Sequence, residues 1–209
     1  MTFVKICGIT NVEDARLALE AGADALGLNF VRTSKRVIDL ATAAHISDAV
    51  AGRVELVAVV ANRTARELEE LRAASGIRWL QLHGAESSEE LELLLPNAYK
   101  AVAIAGPEDV ARASEYGGER LLVDAKVPGE LGGTGARFDW SLAVPLTKRR
   151  DLIVAGGLTP ENVAEAMRAL SPFGVDVASG VEMRQNPRAK DPAKLSAFVA
   201  AVRAADLAR

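Results

Sequence analysis

A short apolar run, a helix-start signal and a stretch of helical periodicity follow one another repeatedly along this chain, and that repeat constrains the fold more than any other feature. Phe3 to Ile6 reads as strand one. Thr10-Asn11-Val12-Glu13 reads as a capping box, with Thr10 and Glu13 satisfying free backbone donors of a helix that runs to about Ala21. Gly22 suits a left-handed helix stop. Ala25 to Phe30 is strand two, and Asp39 is a candidate cap for helix two. Val54 to Val60 is a β-branched strand three, followed by a second capping box, Thr64 to Glu67, and a helix ending near Gly76. Trp79 to Leu82 reads as strand four and Ser87 to Glu90 as a third capping box. Ala98 to Ile104 is strand five, with Pro107 beginning its helix, and Leu121 to Asp124, Leu152 to Ala155 and Gly174 to Ala178 complete the strands. Thr159-Pro160 and Asp191-Pro192 each place a cap and a first-turn proline before the next helix, the last of which ends near Ala205.

Eight strands alternating with helices, at a repeat of roughly 25 residues, fit parallel βαβ units. An open doubly wound sheet is the alternative. Near-equal units with no Gly-x-Gly-x-x-Gly turn after strand one favour a closed α/β (β/α)8 barrel, the TIM barrel. No Pro/Gly/Ser linker interrupts the units, so residues 1–209 read as a single domain. The 49% hydrophobic and 25% charged content excludes wholesale disorder. A net charge of -3, with basic residues scattered apart from Lys148-Arg149-Arg150, argues against a nucleic-acid face. Cys7 is the only cysteine, which excludes an intrachain disulfide and a cysteine-based metal site. There is no basic segment leading into an apolar core at the start and no uninterrupted apolar stretch near membrane-spanning length. The expectation is a cytoplasmic protein with no membrane partner.

In such a barrel, chemistry gathers where the strands end at their carboxyl side. Strand one ends in Cys7-Gly8, strand two leads to Arg32 and Arg36, strand four ends in His83-Gly84 and strand six in Asp124. Strands seven and eight end in Gly156-Gly157 and Ser179-Gly180. Gly156, Gly157, Ser179 and Gly180 suit a phosphate site, because glycine lets backbone N–H groups approach an anion, although glycines after strands also serve as plain tight turns. The Gly-rich run from Asp124 through Gly135 reads either as a lid that excludes water or as a surface loop. Cys7 and Asp124 suit an acid/base pair across the mouth. Taken singly, a lone cysteine is more often a small buried apolar residue, and an aspartate after a strand is often a helix cap. Arg36 has the fork of donors that holds a carboxylate, yet surface arginines are common. His83 divides the same way, and His45, within helix two, reads as solvated.

The segments Lys5-Ile6-Cys7-Gly8-Ile9-Thr10, Gly22 to Gly27, Ser34-Lys35-Arg36, Leu80 to Gly84, Asp124 through Gly135, Ala155 to Asn162 and Ser179-Gly180-Val181-Glu182 carry a resemblance spanning nearly the whole chain. The chain resembles the phosphoribosylanthranilate isomerase family of tryptophan biosynthesis. The resemblance implies a cofactor-free, metal-free Amadori rearrangement of a small phosphosugar. Asp124 would be the general acid that opens the sugar ring, Cys7 the general base at C2, and Arg36 the partner of the anthranilate carboxylate. His83, Gly156, Gly157, Ser179 and Gly180 would complete the substrate site. The protein would act as a monomer or a homodimer. Three departures stand out: Lys35 where the family usually has proline, Val60-Ala61-Asn62 in place of a phenylalanine-containing run, and Ala178 where serine is common. None removes a proposed acid, base or anion ligand.

Rival functions fit less well. A histidine-pathway aldose isomerase would be expected to carry aspartate at the position of Cys7, and a metal-dependent epimerase would need more histidine and acidic ligands at the strand ends than His83 supplies. A catalytically silent phosphate-binding barrel would have no use for Cys7 and Asp124 together. Strand alternation adds an expectation of its own. If Cys7 points into the mouth, Lys5 shares its inward face and needs a partner there. Asp176, between the apolar Val175 and Val177 on strand eight, is the expected one, the alternative being that Lys5 reaches solvent through the amino end of the barrel.

Overall fold

The computed structural model describes residues 1–125 and 139–208. The Gly-rich run after Asp124, read as a lid, lies outside the described residues from residue 126 onward. Eight parallel strands close into a barrel in sequence order: β1 (Phe3–Cys7), β2 (Ala25–Asn29), β3 (Glu55–Val60), β4 (Trp79–Leu82), β5 (Ala98–Ile104), β6 (Arg120–Ala125), β7 (Asp151–Val154) and β8 (Gly174–Val177). Closure is made by β1 pairing with β8, with Lys5 opposite Asp176. Around the barrel run α1 (Val12–Ala21), α2 (Leu40–Val50), α3 (Ala65–Ser75), α4 (Ser88–Glu92), α5 (Pro107–Glu115), the single turn α6 (Val144–Thr147), α7 (Val163–Leu170) and α8 (Pro192–Leu207). The expected strands therefore form, with ends shifted by about a residue.

The period-two pattern of the strands divides the core in two. Val4, Ile6, Leu26, Leu28, Ala58, Val60, Leu80, Leu82, Val175 and Val177 face the helices. Ala25, Val57, Tyr99, Ala101, Leu122, Ile153 and Ala155 fill the barrel interior. The amino end of that interior is closed by aromatic rings around one cation. The Arg120 guanidinium lies 4.0 Å from the Trp79 ring centre and 5.1 Å from that of Phe3, and donates to Glu55 at 2.7 Å. Its charge is thereby satisfied both by a carboxylate and by the negative faces of the rings.

Most helix signals act as expected. Gly22 stops α1 at φ 97°, and Thr64 and Ser87 head complete capping boxes with Glu67 and Glu90. Asp39 and Asp191 cap α2 and α8. Two signals are displaced. The cap of α1 is Asn11, whose Oδ1 accepts from the Asp14 N–H at 2.8 Å, because the Thr10 hydroxyl is drawn away to donate to the Arg188 carbonyl at 2.6 Å. Thr159-Pro160 does not open α7, which begins four residues after Thr159. The Asn162 side chain accepts from the Thr159 N–H and donates to the Gly157 carbonyl, both at 2.8 Å, folding the intervening residues into a turn. A further element was not foreseen. After β8 a short 3-10 turn (Ser179–Val181) leads into an antiparallel hairpin, β9 (Glu182–Met183) and β10 (Asn186–Lys190). Its strands are too short and polar to announce themselves by periodicity.

Asn11→Ala should lower the unfolding free energy by about 1 kcal/mol, the usual worth of a side-chain N-cap. Urea denaturation measures this, and an unchanged midpoint at unchanged slope would show that α1 needs no cap from Asn11.

Candidate active site

The inward faces of β1, β4, β6 and β8 carry polar residues to the carboxyl end of the barrel. On β1, Phe3, Lys5 and Cys7 alternate with the outward Val4 and Ile6, so the thiol stands at the mouth with the lysine one layer below it. Lys5 is fully buried, and its Nζ donates to Asp176 Oδ1 at 2.9 Å. The expected pairing inside the barrel is thus present, and the solvent route is not taken. Burial works to neutralise the ammonium, but the negative charge of Asp176 and the nearby Cys7 and Tyr99 outweighs it and raises the lysine pKa. Cys7 is half-buried. Burial pushes its thiol pKa up, while Lys5 and, more weakly, Lys190 pull it down and Asp176 pushes it further up.

On β6, Leu122 faces the barrel interior, and Asp124, two residues on, shares that face and is 8% exposed. Cys7 and Asp124 therefore occupy the same end of the barrel from strands well separated around its circumference.

His83 follows β4 at the same rim, as alternation with the helix-facing Leu80 and Leu82 requires. Behind it runs a buried chain of hydrogen bonds. The Tyr99 hydroxyl donates to Gln81 Oε1 at 3.1 Å, and Gln81 Nε2 lies 2.9 Å from His83 Nδ1. With Gln81 Nε2 facing the ring, the amide N–H donates, an arrangement that gives Nδ1 the accepting role and puts the proton of a neutral ring on Nε2. Burial, with help from the charges of Lys100 and Lys5, lowers the His83 pKa to about 4. Lys100, itself buried, ties down the loop after β4 by donating to Glu86 and to the Leu82 and Gly84 carbonyls.

Arg36 is only 8% exposed, and its guanidinium meets Glu182 of β9 in a bidentate pair, Nε at 2.5 Å and Nη2 at 3.0 Å. Lys190 of β10 donates to the same carboxylate at 3.2 Å and to the Ala178 carbonyl at 3.1 Å. Burial would raise the Glu182 pKa, but Arg36 and Lys190 together hold it below the usual carboxylate value. Gly8 makes room for this arrangement: its backbone is left-handed at φ 76°, and a Cβ there would overlap the Arg36 stem. Glu182 and Lys190 were not singled out by sequence reasoning, and the one available signal was the position of Glu182 two residues beyond Gly180.

Gly156 (φ 87°) and Gly157 (φ 63°) take left-handed turns after β7 that other residues adopt only with strain. Gly180 presses on the β7 loop so closely that a Cβ would overlap the Leu158 carbonyl. These glycines and Ser179 thus form adjoining backbone turns at neighbouring strand ends. His45 lies exposed on α2, away from this cluster.

A closed parallel barrel with a thiol, carboxylates, a buried arginine and paired glycine turns gathered at its carboxyl mouth defines the class: a (β/α)8-barrel enzyme. The profile of the N-(5'phosphoribosyl)anthranilate (PRA) isomerase family matches residues 4–201, and the chain belongs to that family. An N-(5'-phosphoribosyl)anthranilate isomerase of Myxococcus xanthus is 44% identical over 209 residues, covering 98% of this chain and 97% of that protein. One of Citrifermentans bemidjiense is 41% identical over 200 residues, covering 96% of each. The phosphoribosyl anthranilate isomerase structure from Thermotoga maritima superimposes with a TM-score of 0.89 at 37% identity, covering 98% of this chain and 100% of that one. A solved phosphoribosyl anthranilate isomerase in complex with reduced 1-(o-carboxyphenylamino)-1-deoxyribulose 5-phosphate gives 0.86 at 36% identity, with the same coverage.

The buried relay behind His83 has a spectroscopic consequence. At about pH 5.5, below the ordinary histidine pKa, nitrogen-15 NMR should show the His83 ring neutral with its proton on Nε2. A protonated ring, or a proton on Nδ1, would contradict the Gln81 arrangement.

Proposed function

We propose that this protein catalyses the Amadori rearrangement of N-(5'-phosphoribosyl)anthranilate to 1-(2-carboxyphenylamino)-1-deoxyribulose 5-phosphate, the isomerisation step of tryptophan biosynthesis. Family membership over residues 4–201 supports the reaction, and the presence of Cys7 and Asp124 at one barrel mouth is the observation that carries its chemistry. Asp124, as general acid, protonates the ring oxygen of the ribose. The C1–O bond breaks and the anilino nitrogen lone pair forms an iminium at C1. That iminium acidifies the C2 proton, which the Cys7 thiolate takes, and the electron pair left behind gives the enolamine. Tautomerisation, with C1 protonated and the C2 hydroxyl proton lost, yields the keto product. No cofactor is required, because the iminium itself is the electron sink.

Binding follows from the rest of the rim. Arg36 receives the anthranilate carboxylate, with Glu182 fixing the guanidinium through Nε and Nη2. The N–H groups around Gly156, Gly157, Ser179 and Gly180 receive the phosphate, and the His83 Nε2–H is a donor for a sugar oxygen. Residues 1–209 act as one catalytic barrel with a small phosphosugar, not a nucleic acid or membrane, as partner. The compartment expected for this biosynthetic reaction is the cytoplasm; no helix among the described residues is long and apolar enough to cross a membrane. The working form is a monomer or a homodimer. A solved relative from T. maritima is described as dimeric.

Loss of anthranilate-type fluorescence from freshly made substrate tests the reaction directly, and no turnover above the spontaneous rate would sink it. In the same assay Asp124→Asn and Cys7→Ala should each lower kcat by about two to four orders of magnitude with the fold retained, the usual contribution of a positioned acid or base. A folded variant with near-native kcat would remove that residue from the mechanism.

Arg36→Met should act differently. It removes an interaction alike in ground and transition states, so it should mainly raise KM. A fall confined to kcat would contradict the carboxylate role.

A further inference from the structure

Lys5 is fully buried in the barrel interior, and the mechanism above leaves it without a task. We propose that Lys5 is a positioning residue for the base: its ammonium, anchored by Asp176, orients the Cys7 side chain and stabilises its thiolate. This rests on the reading of Cys7 as the general base.

Three observations carry it. First, the ammonium has three N–H groups. One is committed to Asp176 at 2.9 Å, which leaves others for the Cys7 thiol, whose pKa the lysine lowers. Second, the neighbouring strand is hollowed out for this contact. Gly27 pairs with Cys7 across β1 and β2, and a Cβ built on it would come within 2.7 Å of Cys7 Sγ and 3.0 Å of Lys5 Nζ. Thiol and ammonium thus crowd one point that only glycine leaves open. Third, a buried ion pair is a poor source of net stability, since removing two charges from water offsets most of their attraction. An apolar pair would fill the barrel as well, so packing does not call for a charge here.

The charged and titratable groups around the thiol come from several elements. Lys5 faces it from β1, Asp176 from β8, Lys190 from β10, Tyr99 from β5 and Arg36 from the loop after β2, while the adjacent β2 residue is Gly27. Burial raises the thiol pKa most, and Lys5 is the strongest influence against it. Asp176 also raises it, by less than Lys5 lowers it. These signs set an order. Lys5→Met removes the favourable charge and keeps the unfavourable one, whereas Lys5→Met/Asp176→Asn removes both.

Cys7 is the only cysteine, so its alkylation by iodoacetamide reads the thiolate without ambiguity. The midpoint of the alkylation pH profile should rise from wild type to the double variant and again to Lys5→Met. For the double variant, a rise of one pH unit corresponds to about tenfold slower alkylation near neutrality. The acid limb of kcat should move with it while KM stays put. A natively folded double variant with the wild-type profile would overturn the proposal. Should neither variant fold, the wild-type protein decides: the Lys5 13Cε resonance must shift at the pH where Cys7 titrates, and its indifference would equally overturn the proposal. The base reading fails separately. If Cys7→Ala keeps its kcat, Cys7 is not the base, yet the alkylation profiles still report whether Lys5 governs the thiol.

Discussion

Everything in this structure hangs on the closure of β8 onto β1. The pairing seals the last open edge of the sheet, and its register sets Lys5 opposite Asp176. Strand alternation then propagates upward from that contact. Two residues above Lys5 the same face presents Cys7, and the mouth is assembled from residues that share the inward face on other strands. A slip of one residue in the closing pair would turn Lys5 toward the helices and Val4 or Ile6 into the barrel, exchanging the polar interior with the apolar shell.

The charges near the mouth come in compensated groups. Lys5 is held by Asp176, Lys100 by Glu86, and Arg36 by Glu182, which also holds Lys190. Each cation is buried and carries at least one carboxylate within hydrogen-bond distance, which is the condition on which charge survives away from water. The groups also do different things. Lys100 and Glu86 clip the loop after β4, whereas Arg36, Glu182 and Lys190 connect the loop after β2 to the hairpin after β8. The rim is thereby laced by ion pairs around Cys7, Asp124 and His83, the kind of fixed frame that the proposed proton transfers between Asp124, Cys7 and substrate require.

The signals that could be read along the chain were local ones. Thr64 with Glu67 and Ser87 with Glu90 satisfy their helices' first N–H groups within four residues, so nothing distant competes with them. Thr10 fails as a cap for the opposite reason: the Arg188 carbonyl, brought in by the hairpin, takes its hydroxyl and leaves Asn11 to cap α1. Thr159 likewise loses its role to Asn162, which binds back to Gly157. Of the candidate site, Cys7, Asp124, His83 and the glycine turns were legible because each stands at a strand end. Of the departures at Lys35, Ala61 and Ala178, Ala178 meets the Arg36, Glu182 and Lys190 cluster through its carbonyl, which Lys190 binds whatever the side chain.

The amino-acid sequence by itself determined the eightfold strand–helix alternation, the barrel, the face on which each inward residue lies and the family to which the chain is similar. Those follow from periodicity and from motifs whose parts lie close together in the chain. Only the tertiary structure decided which charges meet. The partners Arg36 and Glu182, Lys5 and Asp176, and Gly27 with the thiol and ammonium come from segments brought together by barrel closure, and their pairing depends on distances of a few ångströms that local pattern does not encode. Alternation could nominate Lys5 and Asp176, because they sit on strands that a closed barrel must make neighbours. It had no means of nominating Glu182 for Arg36, because the hairpin that carries Glu182 is held by tertiary contacts and leaves no periodicity in the chain.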